Sequence, residues 1–268
     1  MDHWNVFDAN CLVGRHQKLQ EQGLHSNAQL LADMDHYGIA EALVLDPLGR
    51  ENHPADGNDR VLQQTAGQPR LHPVWSALPT GATDEQPEPA QFIAAMRRHG
   101  VAAVTLFPRQ YRFELSDWCI DDLAGPLATA RVPVFINYTE VGPGSGWQQD
   151  ATDWNAVVAL CRRHPDLPVI VSEFRIRRSQ RVVYRALDAC PNLHLELSAY
   201  WLHRGIEYIT ARWGSQRLVF GSGWPFCGPH MTLATLTTAE IADADKRAIA
   251  GDTLRRLVSW CGRRHPAY

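Results

Sequence analysis

The chain has 268 residues and a formal charge of −3, and 45% of its residues are hydrophobic. Its length suits one large domain or two small ones, and its composition is that of a globular protein. The near-neutral charge argues against nucleic acid as a partner, and no apolar run approaches the roughly 18 residues that a membrane helix needs.

Short apolar runs alternate with segments of helical periodicity along almost the whole chain, a pattern that predicts strands and helices in turn. The predicted strands cover residues 6–10, 42–46, 71–78, 102–107, 134–138, 169–173, 193–198 and 218–222. The predicted helices, each following one strand, cover residues 26–37, 58–67, 89–99, 120–131, 153–164, 179–190, 205–213 and 244–260.

Eight strands that each precede a helix form successive βαβ units, and apolar runs of this kind are typical of parallel strands covered on both faces. Eight such units close into a barrel, so we predict a single (β/α)₈ TIM barrel over residues 1–268. An open doubly wound sheet is the alternative. It is disfavoured because the first strand-to-helix turn has no G-x-G-x-x-G motif.

Active sites of such barrels lie at the carboxyl ends of the strands and in the loops that follow them. Polar or aromatic side chains at these positions are therefore the candidate site residues. They are Asp8, Asn10, His16, Asp46, His53, Arg109, Asn137, Glu140, Glu173, Arg175, Ser198, Tyr200, His203, Ser222, Trp224 and His230. By contrast, His72 and His194 lie at strand starts, where a structural role is expected.

Five segments resemble the amidohydrolase-related family, a group of metal-dependent TIM-barrel enzymes that includes decarboxylases and lactonases. The most specific is RLVFGSGWP at 217–225, which is similar to the family's eighth-strand block. The others are FDANCLVG at 7–14, HYGIAEALVLD at 36–46, GNDRVLQ at 57–63 and PNLHLELS at 191–198. The resemblance extends over nearly the whole chain and implies the same barrel.

The family's metal ligands are not matched by the residues at the corresponding positions. The two first-strand histidines fall on Asn10 and Leu12, the fifth-strand histidine on Asn137, and the eighth-strand aspartate on Gly223. The sixth-strand histidine falls on Ser172 or Glu173, with Glu173 favoured. Catalytic zinc needs about three strong ligands. The resemblance therefore implies a branch with no metal site and no cofactor.

Without a metal, activating water requires a general base, and charge that builds on oxygen requires fixed donors. Glu173 is the first candidate for the base, with Asp8 and His203 as further catalytic candidates. Arg109 and Arg175 are expected to orient an anionic substrate. The remaining substrate-binding candidates are Asn10, His53, Asn137, Glu140, Tyr200, Ser222, Trp224 and His230.

These residues favour a metal-independent hydrolase that acts on a small anionic lactone, amide or carboxylated substrate. Two alternatives stay open: a catalytically inactive barrel that serves as a binding or partner protein, and a decarboxylase or other C–C lyase. The opening residues MDHWNVFDAN carry neither a basic nor an apolar signal region, which predicts a cytoplasmic protein. A homodimer is a further expectation from the resemblance.

Overall fold

The computed structural model of the chain describes residues 4–16, 24–79, 81, 85–139, 152–172, 176–198 and 200–261. The strands in chain order are β1 (Val6–Leu12), β2 (Gly14–Arg15), β3 (Leu24–His25), β4 (Ile39–Leu45), β5 (Leu71–Ser76), β6 (Ala103–Leu106), β7 (Val134–Ile136), β8 (Val169–Val171), β9 (Leu193–Glu196) and β10 (Leu218–Val219). The α-helices are α1 (Asn27–Tyr37), α2 (Leu48–Glu51), α3 (Pro54–Thr65), α4 (Pro89–His99), α5 (Asp117–Ala130), α6 (Trp154–Arg163), α7 (Ile176–Ala189), α8 (Gly205–Trp213), α9 (Pro229–Thr238), α10 (Asp243–Arg247) and α11 (Thr253–Val258).

Eight parallel strands form one sheet in the order β1-β4-β5-β6-β7-β8-β9-β10. The segment after β10 returns to β1, where Ala9 N donates to Phe220 O at 2.9 Å and Gly223 N donates to Asn10 O at 3.1 Å. These bonds bring the two edges of the sheet together. The predicted single (β/α)₈ barrel is thus confirmed.

The apolar residues divide between two layers, as the period of a strand requires. Side chains such as Phe7, Leu43, Val74, Phe135 and Ile170 pack together inside the barrel. The alternate strand residues pack outward against the helices in a larger cluster. Because both faces of each strand are buried, the strands appear in the sequence as continuous apolar runs.

Most predicted elements match observed ones, but the chain after β10 differs from the prediction. Helix α9 was not predicted, and its threonines at 232, 235, 237 and 238 explain this because threonine has low helix propensity. The predicted terminal helix over 244–260 is divided into α10, a π-helical turn (Ala248–Asp252), α11 and a 3₁₀ turn (Ser259–Cys261).

Two further elements near β1 and β4 were also missed. The short antiparallel pair β2–β3 follows β1, and α2 lies just after β4. Both are too short to show a period in the sequence. Among the described residues, no helix combines the length and apolarity needed to cross a membrane.

Candidate active site

A small cavity of about 40 Å³ with a mixed polar and apolar lining lies at the carboxyl ends of the barrel strands. Its hydrogen-bonding side chains come from five parts of the barrel: Asn10, Arg50, Thr105, Asn137 and Ser172. Apolar side chains of the barrel interior, among them those of Phe107 and Phe135, complete the wall. The cavity therefore combines one cation with several neutral hydrogen-bonding groups at the end of the barrel where this fold carries active sites.

Arg50, the cation of this cavity, is buried in a cluster with His16 and Glu51. The Glu51 carboxylate lies 2.8 Å from His16 Nε2 and 3.4 Å from Arg50 Nη2. Arg50 Nη2 also contacts His16 Nε2, and the His16 ring packs edge-on against Phe226 at 4.4 Å. These contacts hold the guanidinium in place, and a carboxylate beside it keeps the buried charge paired.

Helix α2, which carries Arg50, is seated against α3 by a close backbone contact. A Cβ atom on Gly57 would overlap the backbone N and Cα of Gly49. Tyr111 donates from its hydroxyl to Gly49 O at 2.8 Å. Asn58, beside Gly57, exchanges two hydrogen bonds with the Ser76 backbone, at 2.8 and 2.9 Å. The position of Arg50 is therefore set by glycine contacts and backbone hydrogen bonds.

Asn10, on the β1 side of the cavity, is held by a buried carboxylate. Its Nδ2 donates to Glu196 Oε2 at 3.0 Å and to Ser198 Oγ at 3.1 Å. Ser198 Oγ in turn donates to Glu196 Oε2 at 2.7 Å, and Ser198 N donates to Glu196 Oε1. The irregular register of β1 between Asp8 and Cys11 turns Asn10 toward this network.

Asp8 joins the two edges of the barrel behind Asn10. Its Oδ1 accepts from Asn10 N at 3.0 Å and from Ser222 N at 2.9 Å. Burial raises the pKa of Asp8, and hydrogen bonds from Ser222, Asn10 and Cys11 oppose part of this rise. Through these two hydrogen bonds from backbone N–H groups, Asp8 links β1 to the segment after β10.

Glu196 is a second buried carboxyl group of this region with a raised pKa. Burial, with a smaller contribution from the nearby charge of Asp8, raises the pKa of Glu196 to about 7, although the Ser198 and Asn10 hydrogen bonds oppose the change. The neighbouring thiols respond to the same surroundings: burial, with a smaller effect of the nearby carboxylates, raises the pKa of both Cys11 and Cys227. A carboxyl group with a pKa near neutrality thus lies one hydrogen bond from the cavity wall.

The structure brings part of the sequence-predicted set to the cavity. Asn10 and Asn137 line it, and Asp8 and Ser222 lie directly behind Asn10. The oxygen of the Asn137 side chain accepts from Thr139 N at 2.8 Å, which leaves its Nδ2 as the group available to the cavity. Trp224 is buried nearby, and its indole N–H donates to Asp33 at 2.8 Å.

Other predicted residues lie away from the cavity lining. His53 caps α3 by accepting from Asp56 N, and Tyr200 is buried against Gly205. His203 is exposed in a surface groove between α8 and α9. His230 is exposed on α9, and Arg109 is half-buried in the segment after β6. The described contacts therefore give His53 and Tyr200 local structural partners and do not bring these five residues to the cavity.

Three predicted residues, Glu140, Glu173 and Arg175, lie outside the described residues. The chain position of Glu173 directly follows Ser172, which lines the cavity. Its role as base therefore stays a prediction from the sequence.

The described residues at the family's metal-ligand positions do not fit a metal ion. Leu12 is apolar, and Gly223 has no side chain and lies at a φ of 73°. Asn10 and Asn137 offer only neutral amide oxygens, which are weak ligands, and the oxygen of Asn137 already accepts from Thr139 N. Within the described part of the chain, no group of three or more His, Cys, Asp or Glu side chains could hold a metal.

The sequence analysis did not select Arg50, Glu51 or Glu196 as site residues, and it gave Ser198 only as one of the polar residues at the strand ends. A signal for Glu196 was present: His194, Glu196 and Ser198 alternate with three leucines in β9 and just beyond it, so the polar face points into the barrel. No comparable signal in the sequence marks Arg50. Its placement depends on the contact between Gly49 in α2 and Gly57 in α3, and a contact between two helices leaves no periodic pattern in the sequence.

Comparisons with known proteins agree with this architecture. A 5-carboxyvanillate decarboxylase from Sphingomonas paucimobilis is 11% identical and superposes with a TM-score of 0.71 over 95% of this chain and 99% of that one. A 2,6-dihydroxybenzoate decarboxylase from Rhizobium is 16% identical, with a TM-score of 0.72 over 95% and 98% of the two chains. A protein from Pseudomonas putida, described as a candidate 2-pyrone-4,6-dicarboxylic acid hydrolase, is 16% identical, with a TM-score of 0.69 over 96% and 98%.

These structural likenesses show the fold, and the sequence itself shows the family. A search of curated proteins found no match. The sequence profile described as amidohydrolase matches residues 2–260, which is nearly the whole chain. The chain therefore belongs to the amidohydrolase family.

Proposed function

We propose that the protein is a metal-independent hydrolase that acts on a small carboxylated substrate, such as a lactone or an amide, in the cavity at the barrel mouth. The observation that carries the proposal is the buried guanidinium of Arg50 among the cavity-lining residues. A guanidinium presents its N–H donors in a planar fork that matches the two oxygens of a carboxylate. Arg50 thus takes the substrate-orienting role that the sequence suggested for Arg109 and Arg175.

The neutral groups of the cavity suit the charge that develops during hydrolysis. The Nδ2 group of Asn137 can donate to an oxygen that becomes negative when water adds to a carbonyl carbon. In the proposed reaction Glu173 accepts a proton from the attacking water. The C–O or C–N bond then breaks, and the same proton passes to the leaving oxygen or nitrogen, which balances the hydrolysis.

Decarboxylation is the second candidate reaction, and the names of two structural relatives support it. Two of the structural relatives are, by name, decarboxylases of aromatic carboxylates, and the third is described as a hydrolase of a pyrone dicarboxylate. All three names indicate small carboxylated rings. These names support a carboxylated substrate for this chain, and they leave open which bond is broken.

The test is a substrate screen on protein dialysed against a chelator. Small lactones, amides and carboxylated aromatic rings are supplied with and without added Zn²⁺ or Mn²⁺, and both acid release and CO₂ release are followed. We expect turnover without added metal and no turnover in Glu173→Gln. We also expect the Arg50→Met variant to lose about tenfold or more in kcat/KM, because a charge-assisted contact to the substrate is lost.

Arg185→Met is the matched control, because Arg185 is 85% exposed on α7 and, among the described residues, forms an ion pair only with Asp188 one turn away. It should leave kcat/KM unchanged. Turnover that appears only with added metal would overturn metal independence, and release of CO₂ in place of a hydrolysis product would select the second reaction. If carboxylates neither bind nor react, the proposed function is overturned and the inactive-barrel alternative gains support.

A further inference from the structure

The orientation of the Asn10 side-chain amide determines whether the cavity wall offers a hydrogen-bond acceptor as well as donors. Asn10 lines the cavity, while the two groups that accept from its Nδ2 lie on the other side, within and just beyond β9. An amide nitrogen has two hydrogens, and both are engaged by Glu196 and Ser198. Because the amide is planar, its carbonyl oxygen then points away from them.

No group in the described part of the chain donates to this oxygen. Asn10 is half-buried, whereas Glu196 and Ser198 are buried at 1% and 7% exposure. An amide oxygen that lies at a cavity wall without a protein donor is available to a ligand. We propose that Glu196 and Ser198 are positioning residues that fix the Asn10 amide with its carbonyl oxygen toward the cavity.

The surroundings of Glu196 support this role. Its carboxylate accepts three hydrogen bonds, from Asn10 Nδ2, Ser198 Oγ and Ser198 N. A Cβ on Gly221 would overlap the carboxylate, which shows that the segment just after β10 approaches it closely and leaves it little room to turn. A rotated Asn10 amide would place its oxygen against this carboxylate, and two acceptors in contact repel.

This arrangement narrows the class of ligand that the cavity would bind, and this part of the inference rests on the proposed function. Arg50 offers a cation, Asn137 Nδ2 a donor and Asn10 Oδ1 an acceptor. A carboxylate that also carries an O–H or N–H donor would satisfy all three groups. A carboxylate without such a donor would leave the Asn10 oxygen without a partner, which costs binding free energy.

The first experiment measures hydrogen exchange of the Asn10 side-chain amide and needs no ligand. In ¹⁵N-labelled protein at about pH 8.5, where Glu196 is ionised, the Asn10 side-chain NH₂ signals are identified by their loss in Asn10→Asp. We expect both hydrogens to exchange with water more slowly than those of the exposed Asn52, by about tenfold or more. Ser198→Ala should speed the exchange of one hydrogen about tenfold, and Glu196→Ala should shift both signals.

Thr65→Val is the matched control, because it removes a buried hydroxyl that donates to Val61 O at 2.8 Å far from the cavity. It should leave the Asn10 signals unchanged. If Glu196→Ala does not fold, Ser198→Ala alone decides the result. Asn10 signals that stay unchanged in Ser198→Ala, or that exchange as fast as those of Asn52 in the unsubstituted protein, would overturn the proposal.

The second experiment compares acetate with glycolate, which differs by one hydroxyl donor. We expect the unsubstituted protein to bind glycolate about tenfold more tightly, and Ser198→Ala to reduce this preference toward unity while acetate affinity changes less than about twofold. Equal binding of the two acids would overturn the ligand class. If neither acid binds, the proposed function fails, whereas the amide-exchange result still supports or overturns the role of Glu196 and Ser198.

Discussion

The two ends of the barrel carry the same three side chains in different settings. At the amino ends of the strands, Glu41 lies between His72 at 2.7 Å and Arg255 at 2.9 Å. At the carboxyl ends, Glu51 lies between His16 and Arg50. Arg255 covers the Phe7 ring at 5.5 Å, within the packed interior, whereas Arg50 lines a cavity.

The role of a buried Glu–Arg–His cluster therefore depends on its surroundings and not on the three side chains alone. The cluster at the amino end is surrounded by packed side chains, so its consequence is stability. The cluster at the carboxyl end borders open space, so its cation can meet a ligand as well as its internal partner. Substitutions in the cluster at the amino end should therefore mainly lower the free energy of unfolding, and substitutions in the cluster at the carboxyl end should mainly lower the affinity for a ligand.

The largest expected effect is at the amino end. Arg255→Met removes the guanidinium that pairs with Glu41, which is 16% exposed, and we expect a loss of about 3 kcal/mol or more in the free energy of unfolding. Arg50→Met should lose less, about 1 kcal/mol, because water from the cavity can reach the vacated space. Urea unfolding of both variants at neutral pH measures this difference.

Ligand binding should show the reverse order. Folded Arg255→Met should keep its affinity for small carboxylates, while Arg50→Met should lose it. Equal losses of stability in the two variants, or an intact affinity in Arg50→Met, would remove the distinction between the two clusters.

The second expected effect is the pH dependence of stability. The pKa of Glu196 is raised from 4.5 to about 7 in the folded protein. A folded-state pKa above the unfolded one stabilises the protein below the unfolded value, and this contribution is lost as the pH rises through about 7. For this fully buried group the loss is about 3 kcal/mol between pH 4.5 and 7.

Glu196→Gln removes the titrating group and keeps its shape. We expect its free energy of unfolding to vary less with pH across this window than that of the unsubstituted protein, as measured by urea unfolding at several pH values. Some dependence should persist, because burial also raises the pKa of Asp8. Identical pH profiles for the two proteins would show that Glu196 does not titrate there.

Much of the fold could be predicted from the sequence because each strand is buried on both faces and is followed by a helix with a clear apolar period. The candidate site could be predicted less well. Asn10 and Asn137 were found because the first lies near the carboxyl end of β1 and the second directly follows β7, the end of the barrel where this fold carries site residues. Arg50 was missed because a four-residue helix shows no period, and because its position depends on contacts between separate elements.

The contact that positions Arg50 can be tested through the two glycines. Gly57→Ala adds a methyl group that would overlap the Gly49 backbone, so α2 and α3 must separate. We expect this to lower the free energy of unfolding by about 2 kcal/mol, even though alanine favours a helix over glycine. Carboxylate affinity should fall in the same variant, since Arg50 moves with α2.

Gly125→Ala in α5 is the matched control, because the nearest atom to its added Cβ is His164 Cε1 at 4.0 Å. With room for the methyl group, only helix propensity changes, and the free energy of unfolding should rise by about 0.5–1 kcal/mol. Ligand affinity should not change. A Gly57→Ala protein with the stability gain of Gly125→Ala and full carboxylate affinity would show that the helix contact does not place Arg50. The opposite result would establish that the cavity depends on a backbone contact made outside it.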